Sequence, residues 1–122
     1  VSDGNKTVST AATFTKNVTG ATVSLTAPLT ADDTITVASM TLEGNFPADM
    51  SLTVELTNNA RDDAPVWETV TDIRRGESRA FVYHVFTNKT AARGFAFNYK
   101  VTIARGKSGT KGNLTMIGGV IG

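Results

Sequence analysis

The chain has 122 residues, a length typical of one domain that buries its own hydrophobic core. It has no Cys and one His, which excludes a disulfide scaffold, a thiol nucleophile and a metal site built from several His or Cys ligands. The net charge of +1 is uneven: residues 1–60 carry six acids and two bases, and residues 61–122 carry five acids and ten bases.

The composition indicates a β-rich protein. The chain contains 20 Thr and 12 Val, whose branching at Cβ favours extended strands. No apolar run approaches the roughly 18 residues of a transmembrane helix, so no membrane insertion is expected. The first residues, VSDGNKTV, lack the basic and apolar regions of a signal peptide.

The first half of the chain predicts four strands, because apolar and polar residues alternate with period two and not with helical spacing. Their approximate bounds are Thr7–Phe14, Ala21–Thr26, Thr34–Leu42 and Met50–Thr57. Within the third strand the apolar parity changes near Ala38-Ser39, which predicts a β-bulge at that point.

The second half predicts four more strands, separated by polar, Gly-containing loops. Their approximate bounds are Val66–Ile73, Arg79–Thr87, Phe95–Ala104 and Leu114–Ile121. The short connection at 74–78 predicts a hairpin between the first two of them. In the last strand, the Gly118-Gly119 pair is expected to allow a bulge or a close backbone approach.

These eight short strands, with turn signals between them, predict an all-β fold. We expect a single antiparallel β-sandwich or jelly-roll-like domain over residues 1–122, with a small barrel as the alternative. No internal repeat, linker or second domain interrupts the pattern.

The strand Arg79–Thr87 is apolar on both faces, whereas a strand of a sandwich normally has one wet face. Even-numbered residues from Ala80 to Phe86 face one way, and odd-numbered residues from Phe81 to Val85 face the other. The core can bury only one of these two apolar faces, so we expect the other to lie in a subunit interface or under a segment of the same chain. The candidate interface residues are Phe81, Tyr83, His84, Val85 and Phe86.

The loop Arg105–Asn113 concentrates positive charge in a Gly-rich sequence. Arg105, Lys107 and Lys111 have no acid near them in sequence, which predicts a local positive potential. We expect an electrostatic contact with an acidic patch of a neighbouring subunit or with an anionic surface. A solvated loop without a partner is the alternative.

Three motifs resemble reactive or binding sites without completing them. Gly106-Lys107-Ser108 lacks the first Gly and the following helix of a phosphate-binding loop. Residues 93–97 match the start of the RNA-recognition signature, but the next positions depart from it and no helices are predicted behind the sheet. His84 has no local Ser or Asp arrangement for nucleophilic catalysis.

The acidic pairs Asp32-Asp33 and Asp62-Asp63 do not follow the spacing of a calcium loop, and Asx-turn chemistry accounts for both. With no nucleophile and no acid–base pair, the sequence predicts no enzymatic activity, and neither a cofactor nor a metal is expected. Nucleic-acid binding is not expected either.

The stretch FTNKTAARGFAFNYKVTIARGKSGTKGNLTMIGGVIG, residues 86–122, resembles the C-terminal parts of small structural proteins of tailed bacteriophages. The Thr-, Ala- and Gly-rich, Cys-free composition resembles their capsid decoration, tail and fibre proteins as a group. The resemblance implies a β-rich virion protein that is assembled in the host cytoplasm and acts in a homo-oligomer with other virion proteins.

Two functions follow as expectations. The first is a non-enzymatic structural or assembly protein of a virion, acting through protein–protein contacts. The second is a β-sandwich module that binds a glycan or a cell-surface receptor, for which Trp67 is the only strong stacking candidate.

Overall fold

The computed structural model describes residues 22–25, 27–104 and 112–122, without the side chain of Asn113. In this part of the chain, all regular secondary structure is β-strand. The all-β prediction is confirmed. The predicted strand Thr7–Phe14 lies outside the described residues. The strands are β1 (Thr22–Ser24), β2 (Leu29–Thr30), β3 (Val37–Asn45), β4 (Ser51–Thr57), β5 (Glu68–Thr69), β6 (Asp72–Arg75), β7 (Arg79–Val85), β8 (Ala96–Ala104) and β9 (Asn113–Ile121).

Two antiparallel sheets pack against each other, so the predicted sandwich is confirmed. The first sheet has the order β1-β8-β4-β5, and β2 pairs with β8 beyond β1. The second sheet has the order β6-β7-β3-β9. Successive strands often change sheet, so nearly all the pairing is between residues far apart in sequence.

The core lies between the sheets and is built from the alternating apolar positions of the central strands. The strands β4 and β8 supply Val54, Leu56 and the aromatic and aliphatic residues from Phe97 to Ile103. Facing them, Met40 and Leu42 of β3 are almost completely buried. Burial raises the pKa of Tyr99 to about 12, so its hydroxyl stays neutral at physiological pH.

The predicted bulge near Ala38-Ser39 is wrong. β3 begins only at Val37 and pairs with β7 without interruption as far as Glu43. The buried Ile35 precedes the strand, so the alternation that begins at Val37 does not have to match the side on which Ile35 is buried. The register shift occurs between Glu43 and Gly44, on the side of β9.

The predicted strand Val66–Ile73 is two short strands that belong to different sheets. β5 pairs with β4 of the first sheet, and β6 forms the predicted hairpin with β7 of the second. Between them, the buried Val70 donates its N–H to the carbonyl of Val54 at 2.9 Å. This crossing is why the apolar residues of the segment follow no single parity.

The last predicted strand is present as β9, and its glycines allow the expected close approach. A Cβ atom at Gly119 would lie 2.5 Å from the carbonyl oxygen of Ser39 and 3.1 Å from Cγ of Met40. Only glycine leaves room for β3 at this point. Leu114, Ile117 and Ile121 point from β9 into the core.

Candidate interaction surface

The solvent side of the second sheet, called the outer face below, carries an unusual set of exposed apolar side chains. Five large apolar residues are exposed in the described part of the chain, and four of them lie on this face. Phe81, Tyr83 and Val85 of β7 are 51%, 48% and 53% exposed, and Val120 of β9 is 41% exposed. The alternation of β7 places these residues on the side away from the core.

The exposed apolar residues of β7 form a stripe along the strand, and the residues opposite Phe81 and Tyr83 on both neighbouring strands are polar or charged. On one side, Ser39 and Thr41 of β3 lie opposite Tyr83 and Phe81. On the other side, β6 places Asp72 opposite Tyr83 and Arg74 opposite Phe81. Two aromatic rings therefore stand between a row of hydroxyls and a row of charges.

The end of the stripe carries a surface ion pair. Arg79 Nη2 lies 3.4 Å from Glu43 Oε2, and both side chains are partly in water. Such pairs contribute about 0–1 kcal/mol and weaken with salt. The charge pair therefore marks the boundary of the apolar stripe without adding much stability.

The structure divides the five candidate interface residues between the two faces of β7. Phe81, Tyr83 and Val85 lie on the outer face, whereas Phe86 is 1% exposed and packs edge-on against Phe97, with 6.5 Å between ring centroids. His84 also faces inward and lies 5.0 Å from the Phe86 ring, centroid to centroid. His84 and Phe86 therefore belong to the interior of this chain and do not form part of an exposed surface.

His84 forms a largely buried pair with Glu68, which links the first sheet to the second. Its Nε2 lies 2.8 Å from Glu68 Oε1, and the two side chains are 14% and 11% exposed. Glu68 also accepts the N–H groups of Thr87 and Asn88, at 3.0 and 2.9 Å. These bonds hold the chain immediately after β7 against β5, so the single histidine has a structural partner.

The hydrogen bonds to Glu68 predict a pH effect on stability. Burial raises the pKa of this carboxyl, but the bonds from Thr87, Asn88 and His84 outweigh it, and the pKa lies below its usual value of 4.5. A carboxyl with a lowered folded-state pKa adds stability above its unfolded pKa, and this stability is lost as the pH falls through the folded value.

We expect Glu68→Gln to lower the free energy of unfolding at pH 5–7, with a smaller difference from the parent below about pH 4.5. Gln retains one acceptor oxygen but turns an NH₂ group toward a backbone donor. Urea unfolding of both proteins at several pH values measures the difference. A difference that is constant from pH 7 to pH 3 would contradict the assignment.

The acidic pair Asp62-Asp63 ties two loops together. Asp62 accepts N–H groups from Arg93 at 2.8 Å and Ala92 at 3.1 Å, and the Asn59 amide at 3.0 Å. The Arg93 backbone bond is the main reason why the pKa of Asp62 lies below its usual value. Asp63 lies 2.9 Å from the Arg93 guanidinium on the surface. Within the described residues, no group of three or more His, Asp or Glu is placed to hold a metal.

Buried asparagines are the main feature that the sequence patterns did not reveal. Asn58 is fully buried and donates its amide to the carbonyls of Ile35 and Asn88, at 2.9 and 2.8 Å. Asn88 donates back to Asn58 Oδ1 at 2.9 Å. Nothing in the polar run NNARDD distinguishes a buried amide from a solvated one, so no local signal was present.

The loop aromatic singled out for glycan stacking is already in contact with a cation. Lys100 Nζ lies 4.0 Å from the centroid of the Trp67 ring. One face of the indole is therefore covered, which leaves Phe81 and Tyr83 as the more open aromatic pair. The predicted electrostatic residues Arg105, Lys107 and Lys111 lie outside the described residues.

The fold and this surface define the protein as an antiparallel β-sandwich with an apolar stripe on one outer face. No protein family, curated protein or solved structure matches the chain. Among the described residues, no helix is long and apolar enough to cross a membrane.

Proposed function

We propose that this chain is a non-enzymatic structural module that assembles with copies of itself through the outer face of its second sheet. The observation that carries the proposal is the exposed stripe of Phe81, Tyr83 and Val85, with Val120 exposed on the same face beyond Ser39. Large apolar side chains grouped on one face of a soluble domain mark an interaction site more often than scattered ones do. Aromatic residues are also enriched where proteins meet.

A role in a virion of a tailed bacteriophage is part of the same proposal. It is supported by the resemblance of residues 86–122 to small structural proteins of such phages and by the all-β fold. In a virion the module would act through protein–protein contacts, and its partners would be other virion proteins and its own copies. A discrete trimer or larger ring in solution would favour this architecture, and a monomer at every concentration would contradict it.

Replacing Tyr83 with Glu tests the surface. Phe81, Tyr83 and Val85 are about half exposed, and burying the rest of each side chain in an interface would contribute roughly 1 kcal/mol. Loss of one such contact, with a charge placed in the interface, is expected to weaken self-association at least about tenfold. Light scattering and sedimentation over a range of concentrations measure it.

The matched control is Thr53→Glu, which adds the same charge on the exposed face of the first sheet. It is expected to leave both the oligomer and the melting temperature unchanged. If the two variants associate equally well, the outer face is not the interface.

A specific observation favours a second function, glycan binding. A shallow depression on the outer face is lined by Phe81 and Tyr83 together with Ser39, Asp72 and Arg74. Aromatic rings beside hydroxyl and charged groups suit a sugar, with an apolar ring face and polar edges. A monomeric parent that binds an immobilised glycan, and loses this binding in Asp72→Ala, would favour this function over self-assembly.

A further inference from the structure

We propose that a second copy of the chain pairs with β9 edge to edge, strand against strand and antiparallel, to give one continuous sheet of eight strands. This inference rests on the proposed self-assembly and adds a second contact to the one at the outer face, at the edge of the same sheet. It is carried by the edge of β9, along which no other strand of the described residues pairs, and not by the apolar face alone.

The edge of β9 lacks the features that keep other edges of this sandwich from pairing. In the described part of the chain β9 pairs with β3 on one side and with no strand on the other. It is nine residues long and contains neither a charged residue nor a proline. Exposed edges of this length and character are templates for a further strand, which proteins usually prevent with charges, prolines or short strands.

The remaining described edges show those protections. β6 has four residues, three of which are charged. β5 has two residues, and the opposite edge of the first sheet is divided into β1 and β2 with Pro28 between them. Among the described edges, only β9 is both long and uncharged.

The hydrogen-bond pattern shows which groups of β9 are available. Val37 and Gly122 exchange both backbone bonds, at 3.0 and 3.1 Å. Because bonded and non-bonded pairs alternate along an antiparallel ladder, Val120 and Gly118 also bond toward β3. The N–H and C=O groups of Ile117, Gly119 and Ile121 therefore point away from β3, toward the side of β9 where no other described strand pairs.

One register of two antiparallel copies uses all three of these residues. With a two-fold axis at Gly119, the Gly119 residues of the two copies pair, and Ile117 of each copy pairs with Ile121 of the other. This arrangement is isologous: it joins two copies about a two-fold axis and leaves their outer faces free to join such pairs into a larger oligomer. It also places Val120 beside Gly118 of the second copy, so that the two outer faces become one continuous surface.

Cysteine cross-linking tests this register in a chain that has no cysteine of its own. The proposed pairing makes Gly118 and Val120 of the two copies a non-bonded pair, about 4.5 Å apart at Cα, which a disulfide can bridge. Copies of the same single variant would have their cysteines diagonal, roughly 7–8 Å apart, beyond that reach.

Gly118→Cys and Val120→Cys proteins are mixed, oxidised and separated without reductant. We expect the mixture to give several times as much covalent dimer as either variant alone. A mixture of Gly118→Cys with Thr53→Cys, whose cysteine is on the first sheet, measures random collision. Equal yields in all samples would overturn the inference. That result is expected if another segment of the same chain occupies the edge of β9.

Amide hydrogen exchange of the unmodified protein provides a test that needs no variant. The amides of Ile117, Gly119 and Ile121 are expected to become protected as the concentration passes through the association range. Fast exchange of these three amides in a protein that light scattering shows to be oligomeric would overturn the edge pairing and leave the outer-face assembly standing. A monomer at every concentration would overturn both.

Discussion

Deletion of residues 114–122 is expected to abolish cooperative folding of the domain at 25 °C. The deletion removes Leu114, Ile117 and Ile121, which are 1%, 1% and 3% exposed. Truncating one buried Leu or Ile costs about 2–5 kcal/mol, so the three together are comparable to the whole stability of about 5–15 kcal/mol of an ordinary domain. The backbone bonds from β9 to β3 are lost as well.

Circular dichroism during heating measures this effect. The deletion variant is expected to show no cooperative melting transition, whereas the parent melts in one step. Val120→Thr is the matched control, because it changes the same strand on its outer face and leaves the core intact. A deletion variant with the melting curve of the parent would show that β9 is an accessory to the sandwich.

Replacement of Asn58 with Ala is expected to lower the free energy of unfolding by about 3 kcal/mol or more. The change leaves the carbonyls of Ile35 and Asn88 without the donor they have in the native protein, and it removes one of the two acceptors of the Asn88 amide, which keeps its bond to the carbonyl of Thr90. Each buried polar group that loses its partner costs about 1–3 kcal/mol. The loss is large because the site is fully buried and water cannot easily replace the side chain.

Urea unfolding measures this difference, and Asn98→Ala is the matched control. Asn98, on β8, also bonds to a backbone, that of Leu25 just after the edge strand β1, but its side chain is only half-buried. Its replacement is expected to cost clearly less. If the two variants are equally stable, the Asn58 amide does not hold the loop that follows β7.

These bonds bear on assembly because they determine how rigid the module is. Asn58 and Glu68 both hold Asn88, in the chain that leaves β7, to the first sheet. The strand that carries the apolar stripe is therefore anchored at its end. A surface that is already ordered before association loses less entropy when a partner binds.

The alternation of apolar and polar residues was enough to predict several strands and the orientation of their side chains. In β4, Val54 and Leu56 are buried as the pattern indicated, and in β8 the residues from Phe97 to Ile103 alternate in the same way. The presence of apolar residues on both faces of β7 was also visible in the sequence. Period-two facing is a property of a single strand, so a local pattern carries it.

Only the tertiary structure decided which partner each strand has and which face of β7 is covered. β5 and β6 are neighbours in sequence but belong to different sheets, and the choice depends on β4 and β7. Asn58 is buried because Ile35 and Asn88, 23 and 30 residues away, supply its hydrogen bonds. Contacts over such distances leave no periodic trace in the sequence. Composition and alternation therefore determined the all-β class, whereas the sheet order, the buried polar bonds and the position of β9 beside β3 depend on long-range packing.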